Sequence, residues 1–216
     1  LETRECQIGV VQGIVSLQRY RVTISGRPNH AGTTPMDMRQ DALYAASLLV
    51  AAVHDVAVDI PGDQVATVGH LNVTPNAANI VPGQVDLTID LRDLSLETVE
   101  AMVSALKQRV QEIEAITDTQ IQLERQHAVE PTLASAKVQE TIAAVCDSLK
   151  LSHYSMPSRA IHDAQEMGRF TQMGMIFVPS QSGVSHAEDE YTSPEQCGQG
   201  ADVLLNTLLQ LDRQLL

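Results

Sequence analysis

Apolar and polar positions alternate over residues 17–25 (LQRYRVTIS), the two-residue period of a strand with one buried face. The period changes over 35–53, where apolar positions recur at helical spacing behind Thr34, a candidate N-cap, and Pro35, a residue suited to the first helical position. Strands are expected again at 64–73 and 84–92, joined by the turn-rich segment TPNAANIVPG. From Ser95 to about Ile116 the positions Leu96, Val99, Met102, Val103, Leu106, Val110 and Ile113 return every three or four residues, which predicts a second helix. Residues 119–126 alternate once more. The order β-α-β-β-α-β is that of a ferredoxin-like split unit, with two helices on one face of an antiparallel sheet. Along 84–92, Val85, Leu87, Ile89 and Leu91 take the helix side, so Asp86, Thr88, Asp90 and Arg92 take the open one.

Beyond Pro131 strands and helices alternate: helix 134–149, strand 154–157, helix 163–171, strand 174–179, and a last helix from Pro194, capped by Ser193, to about Gln214. These few elements cannot close a sheet of their own, although Ile8-Gly9-Val10-Val11 offers one more strand. The expected architecture is α/β: a ferredoxin-like α+β unit at 16–130, inserted in an incomplete α/β domain made of 1–15 and 131–216.

With 216 residues, 44% of them apolar, the chain can bury a core. Lys and Arg number 14 against 27 Asp and Glu, and the basic residues are scattered, which argues against nucleic acid as a partner. Cys6, Cys146 and Cys197 are odd in number and far apart, fitting a reducing, cytoplasmic setting better than a disulfide framework. No apolar run approaches the roughly 20 residues that span a bilayer, so no membrane role is expected. Gly-rich phosphate loops, GxSxG and HExxH are absent from the sequence, which disfavours phosphoryl transfer and serine hydrolysis.

Three sets of residues carry candidate chemistry. His30 sits in the glycine- and proline-shaped turn 26–35, ahead of the first expected helix, whose positive end would favour a neutral imidazole able to donate to a developing oxyanion; the alternative is a loop histidine bonded to local backbone. Asn79 and Arg92 flank the turn and strand where a guanidinium and an amide could together hold a carboxylate; the alternative is a surface ion pair of Arg92 with Asp90 or Asp93. His162-Asp163 and His186 with Glu188, Asp189 and Glu190 lie at expected element ends and suit zinc or manganese, yet one histidine is not a metal site, and either could be an ordinary loop residue. His54, His70, His127 and His153 have no informative context.

Taken together, Ile8-Gly9-Val10-Val11, Asn29-His30-Ala31-Gly32-Thr33-Thr34-Pro35-Met36 with Arg39 and Asp41-Ala42-Leu43, Pro75-Asn76 with Asn79-Ile80-Val81-Pro82-Gly83, Asp90-Leu91-Arg92, His162-Asp163-Ala164 and Gly183-Val184-Ser185-His186 with Glu190 resemble the amidase, hydantoinase and carbamoylase branch of the aminoacylase and carboxypeptidase-like dinuclear metallohydrolases. The resemblance covers nearly the whole chain. It implies hydrolysis of a linear amide C–N bond in an N-carbamoyl-L-amino acid, allantoate or a related ureido acid, with two divalent ions, zinc or manganese, in the complete enzyme. It further implies that the 16–130 unit is a lid through which the enzyme dimerises. By the same resemblance His30 contacts the scissile carbonyl, often across the dimer, Asn79, Arg92 and His162 bind substrate, and His186 ligates a metal.

Two departures accompany it. Where the family has Ser-Gly-Ala-Gly-His-Asp, this chain has Ser158-Arg159-Ala160-Ile161-His162-Asp163, so backbone contact to substrate near Ile161 is in question. Leu1-Glu2 resemble the end of the stretch that carries the family's other metal ligands, so those are expected upstream, and the chain alone is expected to be inactive and to hold metal poorly. The rival readings are an aminoacylase or dipeptidase, and a non-catalytic dimerisation or ligand-binding module.

Overall fold

The computed structural model describes residues 1–213; Gln214, the expected end of the last helix, lies outside them. The first half of the chain forms β1 (Ile8–Ile14), β2 (Ser16–Ser25), β3 (Asn29–His30), α1 (Ala42–Asp59), β4 (Val65–Thr74), β5 (Ile80–Val81) and β6 (Gln84–Asp93). The second half forms α2 (Leu96–Thr117), β7 (Gln120–Val129), β8 (Thr132–Leu133), α3 (Ala136–Leu149), β9 (His153–Ser158), α4 (Ala164–Met167), β10 (Ile176–Phe177) and α5 (Pro194–Arg213). The chain divides into two compact units, an inserted one of Ser16–Glu130 and a flanking one of Leu1–Val15 with Pro131–Leu216.

In the inserted unit the sheet runs β4-β6-β2-β7, with every pairing antiparallel. Period-two alternation decides its faces: Val85, Leu87, Ile89 and Leu91 are buried while Asp86, Thr88, Asp90 and Arg92 are only half-buried. On the buried side α1 contributes Leu49 and Val53, and α2 contributes Val99, Met102 and Leu106, to one apolar cluster with the strands. Burying such side chains stabilises the fold by about 1.5–3 kcal/mol each. Ser95 caps α2 through the Thr98 N–H at 3.2 Å, and Asp41 caps α1 through the Leu43 and Tyr44 N–H groups at 2.9 and 3.1 Å.

That cap corrects the expected helix at 35–53. Only a 3-10 turn, Met36–Met38, follows Pro35, and α1 starts at Ala42 because Asp41 supplies the capping carboxylate there. The helix is also long and apolar enough, by length and composition, to cross a membrane, although no such run was expected. Its apolar content has a local explanation, since Ala42, Ala45, Ala46, Leu49, Ala52, Val53 and Val56 are buried against the sheet and α2.

In the flanking unit β1 pairs in parallel with β9, and along its other edge antiparallel with β10 and β8. Ile8 and Val10 pack beneath α3 and α5 with Ile142, Val145 and Val203. Two expectations shrink here. The helix over 163–171 is the four-residue α4, because Met167 and Phe170 are 59% and 86% exposed and no apolar face is available to hold further turns. The strand over 174–179 is the two-residue β10, paired only at Ile176 and Phe177.

Candidate functional site

His30 is presented by a short ribbon that prolongs the β2–β6 pairing: Gly26 N–H donates to Gly83 O at 2.8 Å, and β3 then pairs with β5 as Asn29↔Val81 and His30↔Ile80. The Asn29 side-chain oxygen accepts the His30 N–H at 2.8 Å, and the Asn79 carbonyl accepts the Ala31 N–H at 2.9 Å. His30 and Asn79 are therefore neighbours on two exposed, facing segments.

The imidazole is wired by the turn itself. Its Nδ1 accepts the Gly32 N–H at 3.0 Å and the Thr33 N–H at 3.3 Å. A ring nitrogen that accepts carries no proton, so in neutral His30 the proton is on Nε2, which becomes a donor. Glycine permits this approach, because a Cβ at Gly32 would come within 3.3 Å of His30 Cε1. Contrary to expectation, no α-helix starts beside His30, since α1 begins only at Ala42, and the Gly32 and Thr33 amides set the ring instead.

Arg92 lies on the open sheet face, with Nε 2.7 Å and Nη2 3.3 Å from the two Asp90 carboxylate oxygens, as the ion-pair alternative had it. Asp90 also accepts from Arg19 Nη2 at 2.7 Å. Burial works to raise the Asp90 carboxyl, but the hydrogen bonds and charges of Arg92 and Arg19 outweigh it and hold the group below its usual range. Asp86 is likewise lowered, chiefly by the hydrogen bond from Gln84.

Within one copy Arg92 does not join Asn79. Arg92 pairs with Leu17 and Val65 at one end of the sheet, whereas Gln84, next to the Asn79 turn, pairs with Ser25 and Thr74 at the other. Eight steps of extended strand lead from Gln84 to Arg92, a span of about 26 Å at the rise of a β-strand. The expectation that Asn79 and Arg92 of one chain hold the same carboxylate is thus corrected, because a small substrate is far shorter than that.

In the flanking unit His162 follows β9, its ring tilted against Phe177 at 5.9 Å between centroids. Its Nε2 is buried without a hydrogen-bond partner. An orphaned polar atom of this kind costs about 1–3 kcal/mol, which a ligand or a water would recover. The ring borders a cleft of about 600 Å³ that Met156, Phe177, Ser185 and Glu190 also line. His186 is exposed beside Ser185, with a left-handed backbone (φ 60°) that the Glu190 carboxylate holds by accepting its N–H at 2.8 Å.

Among the described residues no group of three or more His, Cys, Asp or Glu side chains is placed to hold a metal ion. Glu190 meets the His186 backbone and not its ring, so this donor set does not fit a dinuclear centre on its own. Sequence reasoning also missed the double grip on Asp90, although Asp90 and Arg92 stand two apart on one strand and so share a face. The amide contacts to Nδ1 had one readable sign, a glycine two residues after the histidine.

Residues 5–210 match the family model described as peptidase family M20/M25/M40. The chain is 36% identical over 213 residues to an N-carbamoyl-L-amino-acid amidohydrolase of Paenarthrobacter aurescens, covering 99% of this chain and 52% of that protein. It is 34% identical over 211 residues to the allantoate amidohydrolase of Escherichia coli, covering 98% and 51%. A solved amidase of the hydantoinase/carbamoylase family from Burkholderia multivorans superposes with a TM-score of 0.93 at 33% identity, over 97% of this chain and 51% of the other. The chain thus spans about half the length of the relatives it matches.

Proposed function

Because the chain belongs to peptidase family M20/M25/M40, we propose that the protein carrying it hydrolyses a linear amide C–N bond in an N-carbamoyl-L-amino acid or a related ureido acid such as allantoate. The observation that carries this reading is the wiring of His30, whose Nδ1 is taken by two backbone amides so that Nε2–H faces outward as a donor. A donor fixed in advance stabilises the oxyanion that forms as water adds to a carbonyl, at no reorganisation cost during reaction. Asn79 precedes Ile80, the residue that pairs with His30, and so adjoins it on the facing segment.

Arg92 takes the substrate carboxylate, which a guanidinium binds through two parallel hydrogen bonds. Because the length of β6 separates it from His30 within one chain, the two groups at one substrate are proposed to come from different copies of a homodimer. A surface for such pairing exists: α1 carries no Lys, Arg or Glu, and it exposes Leu43, Tyr44, Val50 and Val58 next to the edge strand β4. His162 borders the cleft as a further substrate contact. His186 is our candidate for one ligand of a divalent ion, zinc or manganese, although no group of three donors forms among the described residues. Three free cysteines are consistent with a cytoplasmic enzyme.

A substrate panel on the full-length protein tests the reading. Turnover of N-carbamoyl-L-amino acids or allantoate is expected to exceed that of N-acetyl amino acids and dipeptides. Faster cleavage of dipeptides would overturn it in favour of a peptidase.

A further inference from the structure

Arg39 has no carboxylate partner among the described residues, and its guanidinium lies wholly on backbone oxygens. Nη2 donates to Ala31 O at 2.6 Å and to Thr34 O at 3.0 Å, while Nε donates to Thr34 O at 3.1 Å. The turn it grips has little else to hold it. Of residues 32–38 only Thr34 is buried; Gly32, Thr33 and Pro35 are exposed, and Met36 and Met38 are 77% and 71% exposed, so apolar packing contributes little to this excursion. Its fixed points are hydrogen bonds: Ala31 N–H to Asn79 O, the Thr34 hydroxyl to His30 O at 2.7 Å, and the fork of Arg39 across the turn.

We propose that Arg39 is the positioning residue of His30: by bridging the Ala31 and Thr34 carbonyls it holds the turn in the one shape that brings the Gly32 and Thr33 amides to Nδ1 and leaves Nε2–H outward. Two carbonyls that converge on one side of a turn repel each other unless a shared donor lies between them. A planar guanidinium spans both in a fixed direction, whereas an ammonium is a point charge on a flexible stem. The residue also ties the turn to the rest of the unit. Arg39 is extended (φ -88°, ψ 133°), the Gln40 carbonyl next to it accepts the Arg27 N–H at 2.8 Å, and Asp41 then caps α1. The imidazole is thereby referenced, through the half-buried residues 39–41, to a helix whose inner face is packed on the sheet.

The inference rests on the reading that His30 faces the scissile carbonyl, and its test separates the two. Arg39→Lys keeps the charge and loses the fork. In the 216-residue chain, ¹⁵N-histidine NMR of this variant should move the His30 Nδ1 resonance to that of a free neutral ring, with the other histidines unchanged. In the full-length enzyme the variant should lower kcat by about tenfold or more with KM little changed, the cost of a misplaced group. On a His30→Ala background it should cost nothing further, because it acts through the missing ring. An unmoved Nδ1 resonance, or a full penalty on the His30→Ala background, overturns the proposal. If His30→Ala itself leaves kcat intact, the carbonyl-facing reading fails, and the NMR result still decides whether Arg39 sets the ring.

Discussion

His30 owes its donor character to two neighbouring amides, so removing its ring should delete a transition-state contact and spare the fold. In the full-length enzyme His30→Ala is expected to lower kcat by about 10²–10³-fold, the scale of one oxyanion donor. Arg92→Ala should cost about 2–4 kcal/mol in kcat/KM, as for a charge-assisted pair to a carboxylate. Steady-state kinetics checks both, and an unchanged kcat/KM removes the residue concerned from the site. The turn around His30 was legible in the sequence, because glycine and proline mark where the chain must bend. Its internal wiring was not, since which amides reach Nδ1 depends on backbone angles that residue types do not state. That Asn79 and Arg92 of one chain lie far apart was not legible for a related reason, since most of the residues between them form an extended strand.

Among the elements, the open face of β6 makes a pH prediction. Asp90 has a carboxyl held below its ordinary value of 3.8 in the fold. Such a group binds fewer protons folded than unfolded, so its contribution is complete above the ordinary value and is lost as pH falls through it toward the lowered one. Urea melts between about pH 6 and pH 3 should therefore show a smaller loss of stability for Asp90→Asn than for the parent chain. Equal losses would mean that Arg19 and Arg92 do not act on this carboxyl. Period-two and helical patterns located the four long strands and two helices of the inserted unit, because each has a face to bury. They failed where burial is absent, as at Phe170, and where a later cap outcompetes an earlier one, as Asp41 does Thr34.

At the scale of the molecule, the inserted unit has its own core, while the flanking unit leaves Leu204, Leu205, Leu208 and Leu209 of α5 about half exposed. With no three-donor cluster among the described residues, metal analysis of the purified chain should find no tightly held ion, and about two per chain would contradict this donor set. In the proposed dimer, His30 and Arg92 of one copy serve different substrates. Mixing the His30→Ala and Arg92→Ala full-length proteins after subunit exchange tests it most directly. Each mixed dimer would then hold one intact site and one doubly damaged site, so activity should recover to about a quarter of the wild-type value. Recovery no greater than that of either parent would show that both side chains act within a single copy.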